Sequence, residues 1–203
     1  MRNASPILIL LVLLASFWAA VIPFAAHADD LAVRNCNWCH GTTGQGYAPA
    51  PRLAGQRPQY IWQQLASFHR HLRDAPFAKQ YMWGATDYLS PQTAHRLTAY
   101  YATLSPRAAN DGVTALVASG RTIYQQGMPD ANIVACVACH GPNGEGVGAI
   151  PRLGGLSYAY LKRRLQQWTE GYNAATGPPM PHIAASLSDD QTAALASYLS
   201  FVK

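Results

Sequence analysis

Charged residues are scarce in this chain: Asp, Glu, Lys and Arg make up 12% of its 203 residues, whereas hydrophobic residues make up 49%. The basic residues form no stripe interleaved with aromatic side chains, so the formal net charge of +5 gives no reason to predict a nucleic-acid partner. No long stretch alternates polar and apolar residues as a half-buried strand does. A phosphate-binding loop, a pair of catalytic carboxylates and a nucleophile–base pair are also missing, which leaves no basis for predicting a hydrolase or a phosphotransferase.

Cysteine is also scarce, and all four cysteines lie in two copies of the motif C-x-x-C-H. The copies are Cys36-Asn37-Trp38-Cys39-His40 and Cys136-Val137-Ala138-Cys139-His140. Two thiols at this spacing each add to a vinyl group of one haem, and the imidazole that follows binds its iron. The sequence therefore predicts two covalently bound haem c groups, with His40 and His140 as proximal iron ligands.

Other uses of these cysteines fit the pattern less well. A disulfide framework does not require a histidine directly after each cysteine pair. A single histidine beside C-x-x-C makes a poor zinc site, because structural zinc needs four ligands. A thioredoxin-like redox motif needs a βαβ setting, which the sequence does not show.

The N-terminal segment has the features of an export signal. Arg2 is followed by an apolar run over residues 7–26 that only Ser16 and Pro23 interrupt. The tripeptide Ala26-His27-Ala28 then supplies the small residues that a signal peptidase reads. We predict that residues 1–28 are a signal peptide and that the protein is periplasmic in a bacterium. The alternative is a retained membrane anchor, because the run is close to the length of a spanning helix.

The two motifs belong to an internal repeat with an offset of 100 residues. Pro51-Arg52-Leu53 recurs as Pro151-Arg152-Leu153, and Tyr60 recurs as Tyr160. Each copy continues with an apolar stripe at helical spacing. The stripes are Ile61, Leu65, Phe68, Leu72 and Leu161, Leu165, Trp168, Tyr172. Closing helices are predicted after Ser90, which precedes a proline, and after Ser188, which forms a capping box with Gln191.

The repeat predicts an all-α protein of two tandem domains, each a few helices wrapped around a covalently bound haem. We place the first domain at residues 29–105, the linker at residues 106–112 and the second domain at residues 113–203. The second domain has an opening helix from Thr114 to Gln126. The first has only residues 29–35 before Cys36, so we expect a truncated or missing opening helix and a weaker core.

A sixth iron ligand from the protein closes a haem for outer-sphere electron transfer, and a methionine thioether favours a high potential. Met82 and Met180 each lie seven residues before the Leu-Ser pair that opens the closing helix. Because this offset is shared, we predict that both methionines are axial ligands. Several histidines near these positions are rival ligands: His69, His71, His95 and His182.

Together these residues resemble the tandem two-haem class I cytochromes c, the cytochrome c4 type. The resemblance is carried by both C-x-x-C-H-G motifs, the segments 51–55 and 151–155, the helix that begins at Tyr60 and the two methionine loops. It implies two cytochrome c domains with their haem edges close together. It also implies that the carbonyls of Pro51 and Pro151 accept the imidazole N–H of the proximal histidines.

The resemblance further implies a periplasmic electron carrier between a respiratory donor and a terminal oxidase or other acceptor. Its partners would be redox proteins, with a membrane involved only if the N-terminal segment is retained. Two alternatives remain open: a fixed cytochrome subunit of a membrane dehydrogenase or oxidase complex, and a diheme enzyme with one open iron site. The sequence also leaves open whether Arg52 and Arg152 bind haem propionates.

Overall fold

The computed structural model describes residues 30–47 and 49–203. The predicted signal peptide, residues 1–28, lies outside the described residues. The described chain is helical, with isolated β-bridges in place of strands. Its α-helices are α1 (Asp30–His40), α2 (Pro58–His69), α3 (Trp83–Thr86), α4 (Pro91–Thr103), α5 (Val117–Gln126), α6 (Val137–His140), α7 (Tyr158–Thr169), α8 (Met180–Ala185) and α9 (Asp189–Phe201). None of these described helices is long and apolar enough to cross a membrane. The prediction of an all-α fold is confirmed.

The closing helices α4 and α9 begin at the residues that the sequence indicates. The Ser90 hydroxyl accepts a hydrogen bond from the Thr93 backbone N–H at 3.2 Å, and Pro91 occupies the first turn of α4. Ser188 and Gln191 form the predicted capping box at the start of α9. Each cap satisfies a backbone donor that the first helical turn leaves unpaired, which stabilises the helix by about 1 kcal/mol.

Helices α2 and α7 end earlier than the apolar stripes suggest. They stop at His69 and Thr169, so Leu72 and Tyr172 lie beyond the helices and not on their apolar faces. The chain turns at His71 and Gly171, which have φ values of 57° and 86°. A left-handed residue at this position ends an α-helix, so the spacing of the stripe overestimated the helix length.

In the second domain, the opening helix α5 packs directly on the closing helix α9. Gly120 sits at the crossing point, where an added Cβ would collide with the backbone carbonyl of Ala194. One turn later Tyr124 is fully buried, and its hydroxyl donates to the carbonyl of Gly141 at 2.5 Å. The opening helix is thereby tied both to the closing helix and to the end of the second C-x-x-C-H motif.

The first domain has no such arrangement within the described residues. Helix α1 runs without a break from Asp30 through the motif to His40, so the residues before Cys36 are helical but form no separate helix. The buried apolar cluster of this domain contains Val33, Ile61, Leu97 and Tyr101. The second cluster is larger and contains Tyr124, Ile133, Leu156, Tyr160, Leu161, Leu187, Leu195, Ala196 and Leu199. The described apolar cluster of the first domain is therefore the smaller of the two.

The segment between the two domains is fixed to both of them. The backbone N–H of Arg107 donates to the side-chain carbonyl of Gln45 in the first domain at 2.9 Å. The backbone N–H of Asn110 donates to the carbonyl of Ser200 in the second domain at 3.0 Å. The connection around Arg107 and Asn110 is thus ordered, because its backbone donors find partners on either side.

The close crossing at Gly120 makes a specific prediction. Replacing Gly120 with Ala should lower the free energy of unfolding of the haem-loaded protein by about 1–3 kcal/mol, because the added methyl overpacks the helix crossing. The matched control is Ser119→Ala on the same helix, where the side chain is exposed. That variant should be nearly neutral, since exposed substitutions change stability by no more than about 0.5 kcal/mol. Equal effects in guanidinium denaturation would contradict the tight crossing.

Candidate haem-binding site

Both C-x-x-C-H motifs are helical, so the two cysteines of each motif lie one turn apart. Helix α1 carries the whole first motif. Helix α6 carries the second from Val137 onward, and Cys136 directly before it has the same right-handed helical conformation. Cys39 and Cys139 are exposed, and Cys36 and Cys136 are partly buried. Two thiols on adjacent positions of one helical face suit attachment to the two vinyl groups of one haem.

The motif histidines are held by proline carbonyls. Nδ1 of His40 lies 2.8 Å from the Pro51 carbonyl oxygen, and Nδ1 of His140 lies 3.1 Å from that of Pro151. A carbonyl oxygen only accepts, so each Nδ1–H donates and Nε2 of the neutral ring keeps its lone pair. Burial lowers the pKa of both histidines, which favours the neutral, ligand-competent form.

A single cavity of about 1390 Å³ connects the two motifs. It is lined mainly by apolar side chains, as expected for a large planar cofactor. The cysteines and histidines of both motifs lie on its wall, and so do Met82 and Met180. Met82 ends a π-helical turn (Ala78–Met82), and Met180 begins α8. The structure therefore brings one predicted histidine and one predicted methionine to the cavity from each domain.

The rival histidines do not belong to the cavity wall. Nδ1 of His69 donates to the Thr86 carbonyl at 3.0 Å. The ring of His71 stacks on Trp83 with 3.9 Å between centroids, and the ring of His95 stacks on Trp62 at 4.0 Å. These contacts account for the three histidines as structural groups.

A zinc site gains no support from the structure. Within the described residues, no group of three or more His, Cys, Asp or Glu side chains is arranged to hold a metal ion.

The cavity also contains buried side-chain N–H donors without acceptors. Nε of Arg73, Nε and Nη1 of Arg164 and Nε1 of Trp168 have no hydrogen-bond acceptor. All three side chains line the cavity. Leaving such donors buried and unpaired is costly, so they suit an occupant that carries negative groups. A haem, with an apolar ring and two propionates, fits both the apolar wall and these donors.

The family profile of cytochrome c matches the chain twice, over residues 25–105 and 117–203. The chain belongs to the cytochrome c family. Cytochrome c-552 of Acidithiobacillus ferridurans is 34% identical over 185 residues, which cover 90% of this chain and 80% of the relative. A protein of Thiomonas intermedia named thiosulfate dehydrogenase electron acceptor is 34% identical, with 92% of this chain and 86% of the relative covered.

The fold has solved counterparts in the same family. The structure of Acidithiobacillus ferrooxidans cytochrome c4 matches with a TM-score of 0.76 and 33% sequence identity, covering 83% of this chain and 99% of that one. Together with the two motifs, these relatives show that this cytochrome is a diheme electron-transfer protein with two covalently bound haem c groups. The predicted family and two-domain fold are confirmed.

Arg52 contacts the backbone of the second domain. Nη1 of Arg52 donates to the Gly155 carbonyl at 2.7 Å, and Nη2 donates to the Gly154 carbonyl at 2.6 Å, both in the second domain. Nη1 also donates to the carbonyl of Arg107 at 2.5 Å. Arg152 does not line the cavity. Arg52 therefore acts first as a connection between the domains of this cytochrome.

Sequence reasoning missed Arg73 and Arg164 because it relied on residues that recur at the 100-residue offset. Neither arginine has an arginine at the equivalent repeat position, where the chain has Asn173 and Gln64. The signal that remained was a charged residue close to an apolar helical stripe, at Arg164 between Leu161 and Leu165. Such a residue is more often on a solvated helix face. The pattern alone therefore did not distinguish a buried arginine at the cavity from an exposed surface arginine.

The Arg52 contacts predict that the domains separate when this side chain is lost. Arg52→Gln should lower the free energy of unfolding by about 2–4 kcal/mol, since it leaves buried carbonyls without their charged donor. Guanidinium unfolding followed at the haem and tryptophan signals should then show two steps. Arg121→Gln, which alters an exposed arginine on α5, is the matched control and should unfold as the unmodified protein does. A single unchanged transition in Arg52→Gln would contradict the connection.

Proposed function

We propose that this cytochrome carries electrons in the periplasm, from a respiratory or sulfur-compound donor to a terminal oxidase or another acceptor. The observation that supports the proposal is that each domain brings one histidine and one methionine to the wall of the same cavity. If each such pair binds one iron, no iron position stays open for a substrate. The proposal therefore favours a carrier over a diheme enzyme.

In this proposal His40 and Met82 ligate the first iron, and His140 and Met180 ligate the second. The four motif cysteines hold the haems by thioether bonds. Each bound haem supplies one-electron chemistry, since its iron alternates between the ferric and ferrous states. The chain's own residues fix the axial ligands, exclude water from the cavity and keep both proximal imidazoles in one orientation through the Pro51 and Pro151 carbonyls.

The name of the Thiomonas relative supports an oxidising enzyme as one donor. It also favours the alternative in which the cytochrome works as the acceptor subunit of a dehydrogenase. Both functions use the same haem chemistry, and they differ in whether the partner stays bound. Co-purification of the full-length protein from its native membrane and soluble fractions would separate a stable subunit from a free carrier.

Axial ligation by methionine can be tested with single ligand variants. Met180→His should abolish half of the ferric methionine–sulfur absorption band and lower the potential of one haem, because imidazole stabilises ferric iron more than a thioether does. Met82→His should do the same for the other haem. Optical spectra of the haem-loaded protein, with and without cyanide and carbon monoxide, provide the measurement.

Met128, which lies before the second motif, is the matched control, because it packs against the buried cluster of the second domain. Met128→Leu should keep the full sulfur band. Rapid cyanide or carbon monoxide binding at one haem of the unmodified protein would show an open site and would refute the carrier proposal.

The N-terminal segment is the part of the chain that would direct export. We propose that residues 1–28 are removed, that residues 29–105 and 113–203 form the two domains and that residues 106–112 join them. Mass spectrometry of the protein from a periplasmic extract should give a mature chain that begins at Asp29. Ala28→Asp should block cleavage, since signal peptidase needs a small residue there. Recovery of the intact N-terminus from washed membranes would instead favour a retained anchor.

A further inference from the structure

Two buried arginines from different domains face the same cavity. Arg73 follows α2 in the first domain and is 9% exposed, and Arg164 lies on α7 in the second domain and is 8% exposed. Both line the cavity that joins the two C-x-x-C-H motifs. Each guanidinium lies near enough to the other for like-charge repulsion to act between them. Such a pair is unfavourable unless negative charge lies between or beside the two groups.

The arginines occupy swapped positions of the internal repeat. The residue equivalent to Arg73 in the second copy is Asn173, and the residue equivalent to Arg164 in the first copy is Gln64. At this pair of repeat positions each domain thus has one arginine and one amide, in exchanged order. The exchange keeps one cation from each domain at these two positions.

Each arginine stacks on the same aromatic position of the repeat. The Arg73 guanidinium lies 4.7 Å from the ring centroid of Phe68, and the Arg164 guanidinium lies 4.2 Å from that of Trp168. Stacking fixes the plane of a guanidinium and leaves its edge N–H groups free to donate. Both guanidinium groups are therefore held in a fixed plane, and their N–H groups point outward along that plane.

The available protein acceptors do not satisfy these donors. Nη1 of Arg73 donates to the Gln64 side-chain carbonyl at 2.9 Å, and Nη2 lies 3.4 Å from the Tyr160 hydroxyl. Nε of Arg73 and both Nε and Nη1 of Arg164 have no acceptor. Among the residues that the structure describes, no carboxylate lies within ion-pair distance of either guanidinium. These unpaired donors suit negative groups that an occupant of the cavity supplies.

We propose that Arg73 and Arg164 form one anion site, shared between the domains, that binds the propionate carboxylates of the two haems. The inference rests on the proposed function, because it assumes that both haems occupy this cavity. Arginine suits the role, since its planar N–H edge matches a carboxylate with two parallel hydrogen bonds. The Tyr60 and Tyr160 hydroxyls lie at the same site and supply further polar contacts.

A shared site has a consequence that two separate sites do not have. A positive charge near a haem disfavours the ferric state, which carries one more positive charge than the ferrous state. If both arginines lie between the haems, each raises the reduction potential of both. Loss of either arginine should then lower both potentials, including that of the haem in the opposite domain.

The test is a redox titration of the haem-loaded full chain and its Arg164→Gln variant, with each haem followed by its own methyl signals in paramagnetic NMR. We expect Arg164→Gln to shift the reduction equilibrium of at least one haem tenfold, or about 59 mV, and to lower the potential of the other by a smaller measurable amount. Arg164→Lys keeps the charge and should restore most of both shifts. Should Arg164→Gln load no haem, Arg73→Gln carries the same test from the other domain.

The matched control is Arg57→Gln. Arg57 also bridges the domains, since its Nε donates to the Glu145 carbonyl at 2.7 Å, but it does not line the cavity. This variant should leave both potentials unchanged. A shift confined to one haem, a shift as large in Arg57→Gln, or no recovery in Arg164→Lys would overturn the shared site. A missing sulfur band in the unmodified protein would overturn the proposed axial ligation instead, and the potentials would still report on the arginines.

Discussion

The hydrogen bond from each motif histidine to a proline carbonyl is the constraint on which the rest of the structure depends. It forms only if the loop between the two residues turns back tightly. In the first domain Gly46 makes that turn: its N–H donates to the His40 carbonyl at 2.8 Å, and its φ is 70°. A Cβ at Gly46 would lie 2.5 Å from the Pro51 backbone, so only glycine allows the loop to close. Gly146 repeats this arrangement in the second domain, and both imidazoles are oriented by the same local geometry.

The two domains hold their C-x-x-C-H motifs in place with different helices and side chains. In the second, α5 packs on α9 through Gly120 and reaches the motif through the Tyr124 hydroxyl. In the first, α1 carries the motif itself, and the Tyr101 hydroxyl of α4 reaches it by donating to the Asn37 side chain at 2.9 Å. Hydrogen bonds between the domains stabilise both of them, because Arg52, Arg57 and Arg163 each donate to a backbone carbonyl of the other domain. The smaller first domain is thus supported by its neighbour as well as by its own interior.

Features that recur in the sequence were predictable from it, and features that depend on the pairing of the two copies were not. The motifs, the helix caps at Ser90 and Ser188 and the two methionines on the cavity wall follow from spacing, since local chemistry and the 100-residue offset determine them. The ends of α2 and α7 were overestimated, because hydrophobic spacing continues past the left-handed residues that stop a helix. The sequence did not predict a role for Arg73 and Arg164, because each is an arginine in one copy only. Residues at an interface between non-identical repeats need not recur, so the repeat pattern does not identify them.

The hydrogen bonds of the linker to both domains have a kinetic consequence. When the connection between two redox centres is flexible, each internal electron transfer waits until the domains reach a close arrangement. Here the backbone at Arg107 and at Asn110 is held from both sides, by Gln45 and by Ser200. With a haem on each motif, the separation of the two cofactors would then be set by the fold. Solvent viscosity would slow the encounter with a partner molecule more than it slows electron transfer between the two haems.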